Sequence, residues 1–114
     1  MFKLIGYLPI AVENEGVFRN ILRDLKLNKS KRPGGTYVPN DLDTESSLDE
    51  IFKKYSEGNR MGIFTITGFE IQGTTATIRF EDIAPLSGGG TSLKYIFKEN
   101  KNVEYLKSEF TIMS

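Results

Sequence analysis

The sequence predicts an α+β fold in which two helices pack on one face of a curved four-stranded antiparallel meander. Residues 60–114 hold four stretches of alternating apolar and polar residues separated by short turns, which is typical of consecutive antiparallel strands. Residues 1–59 hold two segments with apolar residues at helical spacing. The length of 114 residues suits a single domain with its own core, made of a helical half and a sheet half.

The first helix is predicted from one apolar stripe in a stretch that ends near Leu27 and Asn28. Polar and charged residues occupy the other positions, so one side of the helix is expected to face the core. Asn14 is placed to act as the N-cap residue. The stripe consists of Val17, Phe18, Ile21, Leu22 and Leu25.

The second helix is predicted over residues 48–57, after a long loop at residues 28–44. Ser47 followed by Glu50 forms a capping box, and Gly58 is the residue expected just past a helix end. The loop is interrupted by two prolines and two adjacent glycines. Irregular loops of this length are uncommon in compact domains and often carry function, which makes this loop a region of interest.

Four strands are predicted in the sheet half, at residues 61–71, 74–83, 91–99 and 103–113. The apolar alternation of the first strand changes parity around Gly68, which predicts a β-bulge there. The glycine cluster at residues 87–91 is interpreted as a flexible hairpin loop, and residues 100–102 as a tight hairpin turn. The last strand is expected to place one set of alternating residues on a single face: Leu106, Ser108, Phe110 and Ile112.

The chain end SLKYIFKENKNVEYLKSEFTIMS, in which two strands flank a charged turn, follows a helical N-terminal half. This pattern resembles the cystatin-like and NTF2-like α+β architecture of many small bacterial proteins, over the second half of the chain. The sequence departs from that pattern after the turn, where Val103, Glu104 and Tyr105 stand and no Trp occurs. Because the architecture hosts enzymes, carriers, inhibitors and immunity proteins, the resemblance implies no single activity and transfers no functional residue.

The amino-acid composition excludes several classes of chemistry. The chain has no cysteine and no histidine, which excludes thiol nucleophiles, zinc–thiolate and iron–sulfur sites and every catalytic arrangement that needs histidine. Carboxylate chemistry and oxygen-ligated metal sites stay open, but no cofactor and no metal are predicted. The 15 basic residues balance 15 acidic ones, which argues against a dedicated nucleic-acid binder. No apolar run reaches the length of a membrane span.

Residues 19–32 form a basic segment with six cationic residues and one acidic residue. In this segment and the loop that follows, four residues are predicted to bind an anion or a partner: Lys29, Lys31, Arg32 and Tyr37. The alternative interpretation is a solvated helix end with lysines near the negative end of the helix dipole. The six acidic residues in residues 41–57 would then neutralise the basic segment in space.

Acidic residues offer two further interpretations. Carboxylates and tyrosines of the sheet half could meet on one face and act as a catalytic site, although cross-strand charge pairs are the alternative. The residues concerned are Glu70, Glu81, Asp82, Tyr95 and Tyr105. The acidic loop at residues 41–45 fails the calcium-loop pattern, because Ser46 and Phe52 stand where a glycine and a glutamate are required.

The preferred functional hypothesis is a small non-catalytic binding or protein-interaction module. Its partner would be a protein or a small ligand, and its edge strands offer a route to a homodimer. One alternative is an anion or nucleic-acid binder that uses the basic segment, and another is a histidine-free enzyme that uses carboxylates. The apolar start MFKLIGYLPIAV lacks a cleavage site of small residues, so we expect it to belong to the fold of a soluble protein. That protein would be either cytoplasmic or exported after removal of a preceding signal.

Overall fold

The structure is a computed structural model that describes residues 10, 12–31, 38–55, 64–82 and 88–113. Two α-helices, α1 (Glu15–Asn28) and α2 (Leu48–Lys54), come before the strands. The strands are β1 (Thr65–Gln72), β2 (Thr75–Asp82), β3 (Gly88–Phe97) and β4 (Val103–Met113). They form one antiparallel sheet in the order β1-β2-β3-β4, which confirms the predicted α+β class and the meander.

Helix α1 buries the predicted apolar stripe completely. The five stripe residues are 0–1% exposed, so this face of the helix supplies much of the core. A 3₁₀ turn at Val12–Asn14 leads directly into the helix. Asn14 occupies the N-cap position as predicted, but its side chain makes no capping hydrogen bond because its backbone is already helical.

Helix α2 begins as predicted and ends earlier than predicted. The hydroxyl of Ser47 accepts a hydrogen bond from the Glu50 N–H at 3.3 Å, which is the capping interaction expected from the sequence. The helix ends at Lys54 rather than at residue 57, because the Tyr55 carbonyl accepts instead from the N–H of Ile66 at 2.9 Å. Gly58, the predicted end signal, lies outside the described residues.

A hydrophobic core fills the space between the helices and one face of the sheet. Phe18 lies at its centre and makes ring contacts with Phe52 of α2 at 5.4 Å and with Phe69 of β1 at 5.1 Å. Leu42, from the loop before α2, is fully buried in the same cluster. Because helices, loop and sheet meet at these side chains, they stabilise the whole arrangement together.

Two bulges interrupt the described part of the sheet, and one of them was predicted. In β1, Ile66 pairs with Phe80 and Gly68 pairs with Arg79, so the extra residue is Thr67, immediately before the predicted glycine. The second bulge lies in β4, where Tyr105 pairs with Tyr95 and Lys107 pairs with Lys94. Both bulges fall on edge strands of the described sheet.

The bulge in β4 makes the predicted alternation of that strand wrong at its beginning. Leu106 is the extra residue and is 48% exposed, while Tyr105 takes the core-facing position and packs its ring against Tyr95. The physical reason is that one inserted residue reverses the side-chain parity on its N-terminal side. The adjacent bulky residues Tyr105 and Leu106 were the local signal of this reversal.

The glycine cluster is strand rather than a flexible loop at Gly88, Gly89 and Gly90, which corrects the prediction. All three pair with β4, and Gly90 also pairs with Glu81 of β2. The Arg79 guanidinium lies over Gly90, where a Cβ would stand 2.5 Å from its Nη2 atom. A Cβ at this position would displace the arginine side chain, so glycine permits its close approach over the strand.

The hairpin between β3 and β4 turns at Lys98–Asn102, as predicted for residues 100–102. The Lys98 N–H donates to the Asn102 carbonyl at 3.0 Å, and the Lys101 N–H donates to the Lys98 carbonyl at 2.9 Å. Lys101 closes the turn in the left-handed region, with φ of 71°. The side-chain amide of Asn20 holds the Lys101 carbonyl at 2.7 Å and so fastens the hairpin to α1.

Candidate interaction surface

The residues predicted as a binding site do not form one group in the structure as described. The Lys29 ammonium group donates to the Val38 carbonyl at 3.0 Å and also contacts the Asn40 amide oxygen. Lys31 lies exposed at the end of a 3₁₀ turn that follows α1. Arg32 and Tyr37 lie outside the described residues. Lys29 thus holds the loop to α1, and its predicted role in anion binding stays a prediction.

Two arginines of the basic segment also hold that loop. Arg19 bonds to Glu15 at 3.1 Å and to the Thr44 carbonyl at 3.0 Å. Arg23 makes two hydrogen bonds of 2.9 Å to the Glu45 carboxylate. The Arg23 hydrogen bond lowers the pKa of Glu45 to about 2 and, reciprocally, raises the pKa of Arg23. At this pair the acidic stretch neutralises the basic one, as the sequence alternative expected.

Asp43 organises the end of the loop. Its carboxylate accepts hydrogen bonds from the Ser46 N–H at 3.0 Å, the Glu45 N–H at 3.1 Å and the Lys54 ammonium at 2.8 Å. Burial by itself would raise the pKa of Asp43, but these hydrogen bonds outweigh it and hold the pKa well below its usual range. The described residues contain no group of three or more side chains arranged to hold a metal ion.

The carboxylates and tyrosines proposed as a catalytic set do not converge. Tyr95 is fully buried and Tyr105 half-buried on the core face of the sheet. Glu81 directly follows the core-facing Phe80 and so lies on the opposite face, and Glu70 shares that face because it pairs with Thr77. Glu81 is bonded to Arg79 at 3.3 Å, a charge pair within the strand. The observed register therefore gives the four described members of this set no shared site, and the side chain of Asp82 lies outside the described residues.

An open groove lies between α1 and the β3–β4 hairpin. It has a volume of 460 Å³ and mostly polar walls. On the helix side Asp24 accepts the hydroxyl of Tyr95 at 2.5 Å and the Asn28 amide at 3.0 Å, so its carboxylate is already engaged within the protein. The lining residues of the groove are Asn20, Asp24, Lys98, Asn102, Val103 and Glu104.

Next to this groove, β4 forms an edge of the described sheet. We use the name β4 surface for the outward-facing residues of β4 and of its neighbour β3. These are Ile96, Glu104, Leu106, Lys107 and Glu109. Leu106 is 48% and Ile96 37% exposed, and the register places Ile96 opposite Glu104. The side chains of Glu104 and Lys107 are exposed and make no ion pair or hydrogen bond with another described residue. The β4 surface thus combines apolar side chains with uncompensated charges beside an edge.

Comparison with known proteins assigns no family. No family model matches the chain, and neither a curated protein nor a solved structure matches it. The resemblance to cystatin-like and NTF2-like proteins therefore stays a prediction. In the part of the chain that the structure describes, no helix combines the length and the apolar character needed to cross a membrane.

Proposed function

We propose that this chain is a non-catalytic protein-interaction module that binds its partner through the β4 surface. The observation that carries the proposal is the contrast between a filled core and an incompletely covered edge strand. Core side chains such as Phe18, Leu42 and Tyr95 are 0% exposed, whereas Leu106 on β4 is 48% exposed. An edge strand with exposed apolar side chains is a common route by which proteins bind one another.

The other candidate functions have less support from the described residues. Three cations of the basic segment, Arg19, Arg23 and Lys29, hold the following loop, so an anion would compete with internal partners. The groove is open, and its Asp24 carboxylate is engaged by Tyr95 and Asn28, which favours contact with a partner's side chain over an enclosed small ligand. A protein partner therefore fits this flank of the molecule best.

The test is a comparison of two exposed leucines. Leu106→Asp places a charge in the β4 surface, and Leu27→Asp places the same charge at an 82% exposed position on α1. Both variants are expected to fold, because neither leucine is buried. Wild-type and variant proteins are used as bait in an extract, and each protein retained, together with the wild-type chain itself, is then purified and titrated against all three.

We expect at least one purified partner to bind wild type and Leu27→Asp equally and Leu106→Asp at least roughly tenfold more weakly, as for a central interface residue. Equal affinity for all three proteins would place the interface elsewhere and refute the proposal. The same conclusion would follow if every purified candidate failed to bind wild type.

A further inference from the structure

We propose that the partner of the β4 surface is a second copy of this chain, paired β4 to β4 in antiparallel orientation across a two-fold axis at Ser108. This inference rests on the proposed function, because it names the occupant of the same surface. The sheets of the two copies would then continue into each other. Three observations lead to this arrangement: the midpoint of the strand, the direction of its backbone groups and the order of its charges.

The midpoint comes from the bounds of the strand. β4 comprises 11 residues, Val103–Met113, of which Ser108 is the central one. An antiparallel pair centred on Ser108 aligns each strand end with the opposite end of the second copy. Any other two-fold register shortens the length over which the two strands overlap. The bulge at Leu106 interrupts the ladder, so the regular pairing about this axis is formed by Lys107, Ser108 and Glu109 of both copies.

The backbone direction at Ser108 follows from the hairpin. The Lys98 N–H donates to the Asn102 carbonyl on the β4 side. Hydrogen bonds alternate between the two sides of an antiparallel strand, so every second residue of β3 before Lys98 also bonds toward β4. These β3 residues include Lys94 and Ser92. Their partners Lys107 and Glu109 therefore direct their backbone N–H and carbonyl groups toward β3. Ser108, which lies between them, directs its N–H and carbonyl to the edge and can exchange both with Ser108 of the second copy.

The charges along β4 select the same register. Lys107 lies directly opposite Lys94 of β3, and like charges in this position destabilise a sheet. Glu109 reaches Lys94 only at 3.9 Å, at the limit of an ion pair. With the axis at Ser108, Lys107 lies opposite Glu109 of the second copy, and this contact occurs twice. These would be non-hydrogen-bonded pairs, in which side chains approach most closely.

Neighbouring registers lack this match. An axis at Glu109 would place two glutamates opposite each other, and its backbone groups face β3 rather than the edge. An axis at Lys107 would oppose two lysines in the same way. Among two-fold pairings on this part of the edge, the one centred on Ser108 alone unites an outward-facing central residue with opposite charges.

The experiment is a charge exchange measured by sedimentation equilibrium over a wide range of protein concentration. The variants are Lys107→Glu, Glu109→Lys and the double variant that carries both. The control is Lys26→Glu, which makes the same reversal at an exposed position of α1. Circular dichroism of each variant confirms that it is folded.

We expect wild type and Lys26→Glu to dimerise alike. Each single variant should raise the dimer dissociation constant by roughly tenfold or more, because two attractive contacts become repulsive. An equimolar mixture of Lys107→Glu and Glu109→Lys should form a heterodimer, and the double variant should recover the wild-type constant. Recovery by mixing is a readout that a change within one chain would not produce.

Two results would overturn the inference. Either wild type stays monomeric at every concentration, or the single variants dimerise as wild type does. If wild type is monomeric and Leu106→Asp still loses a purified partner, the self-pairing fails while the proposed function stands. If the leucine comparison shows no loss as well, both fail.

Discussion

The two flanks of this molecule differ in whether their charged side chains have partners within the protein. On one flank, the loop at residues 38–46 is held by internal partners: Arg23 bonds Glu45, Lys54 bonds Asp43, and Leu42 is buried beneath them. On the other flank, the β4 surface leaves Glu104 and Lys107 without ion pairs among the described residues and exposes Leu106. The first flank contains the denser charges, and the second contains those that are available to a partner.

This difference teaches that charge density in a sequence is a poor guide to a binding site. The basic segment attracts attention because six cations fall within residues 19–32, yet three of them stabilise a loop. The charges of β4 are sparse and alternate in sign, and nothing in the described fold compensates Lys107. A charged side chain is available for binding when the fold gives it no internal partner, and such a partner is distant in the sequence.

The largest effect is expected from the buried residue of the loop. Leu42→Ala should lower the free energy of unfolding by about 2–5 kcal/mol, because it leaves a cavity in the core. Leu106→Ala, the same change on the β4 surface, should alter it by less than about 0.5 kcal/mol. Urea denaturation of both variants measures the difference. Equal losses would mean that the loop does not contribute to the core as described.

An intermediate effect is expected from the carboxylate that holds the loop. Asp43→Asn should cost about 1–3 kcal/mol at neutral pH, because Lys54 and two backbone N–H groups lose a charged acceptor. The pKa of Asp43 is lowered by folding, so its stabilisation is present above its unfolded pKa of about 4 and is lost as the pH falls below that value.

Acid titration therefore distinguishes the two flanks. Between about pH 5 and pH 2, wild type should lose more stability than Asp43→Asn does, since the variant lacks the titrating group. Leu106→Ala on the β4 surface should follow wild type, because it removes no titrating group and its side chain is 48% exposed. Parallel pH curves for wild type and Asp43→Asn would show that Asp43 does not hold the loop.

The smallest effect is expected at the hairpin beside the β4 surface. Lys101 has a φ of 71°, a conformation that disfavours L-residues with a Cβ. Lys101→Gly should raise the free energy of unfolding by roughly 0.5–1 kcal/mol, since glycine adopts this conformation without strain. Glu99→Gly, in the same turn but without a positive φ, should lower stability slightly. Thermal unfolding of both variants provides the measurement, and a loss in both would mean that Lys101 is not strained.

Local patterns in the sequence determined the elements and their order. The stripe from Val17 to Leu25 specifies one buried helix face, Ser47 with Glu50 specifies the start of α2, and the parity change near Gly68 specifies a bulge. Each of these signals acts within a few residues, where backbone periodicity and capping chemistry dominate. For the same reason the turn between β3 and β4 and three of the four strand starts were predicted to within a few residues.

Only the tertiary structure decided which charges are paired and which surface is left open. That Glu45 meets Arg23, that Arg79 covers Gly90, and that Leu106 bulges outward all depend on register between segments distant in the chain. A strand's own alternation does not encode its neighbour's register, and one inserted residue reverses every face beyond it. The candidate site at β4 depends on this register, because the bulge turns Leu106 away from the core and leaves it 48% exposed at the edge.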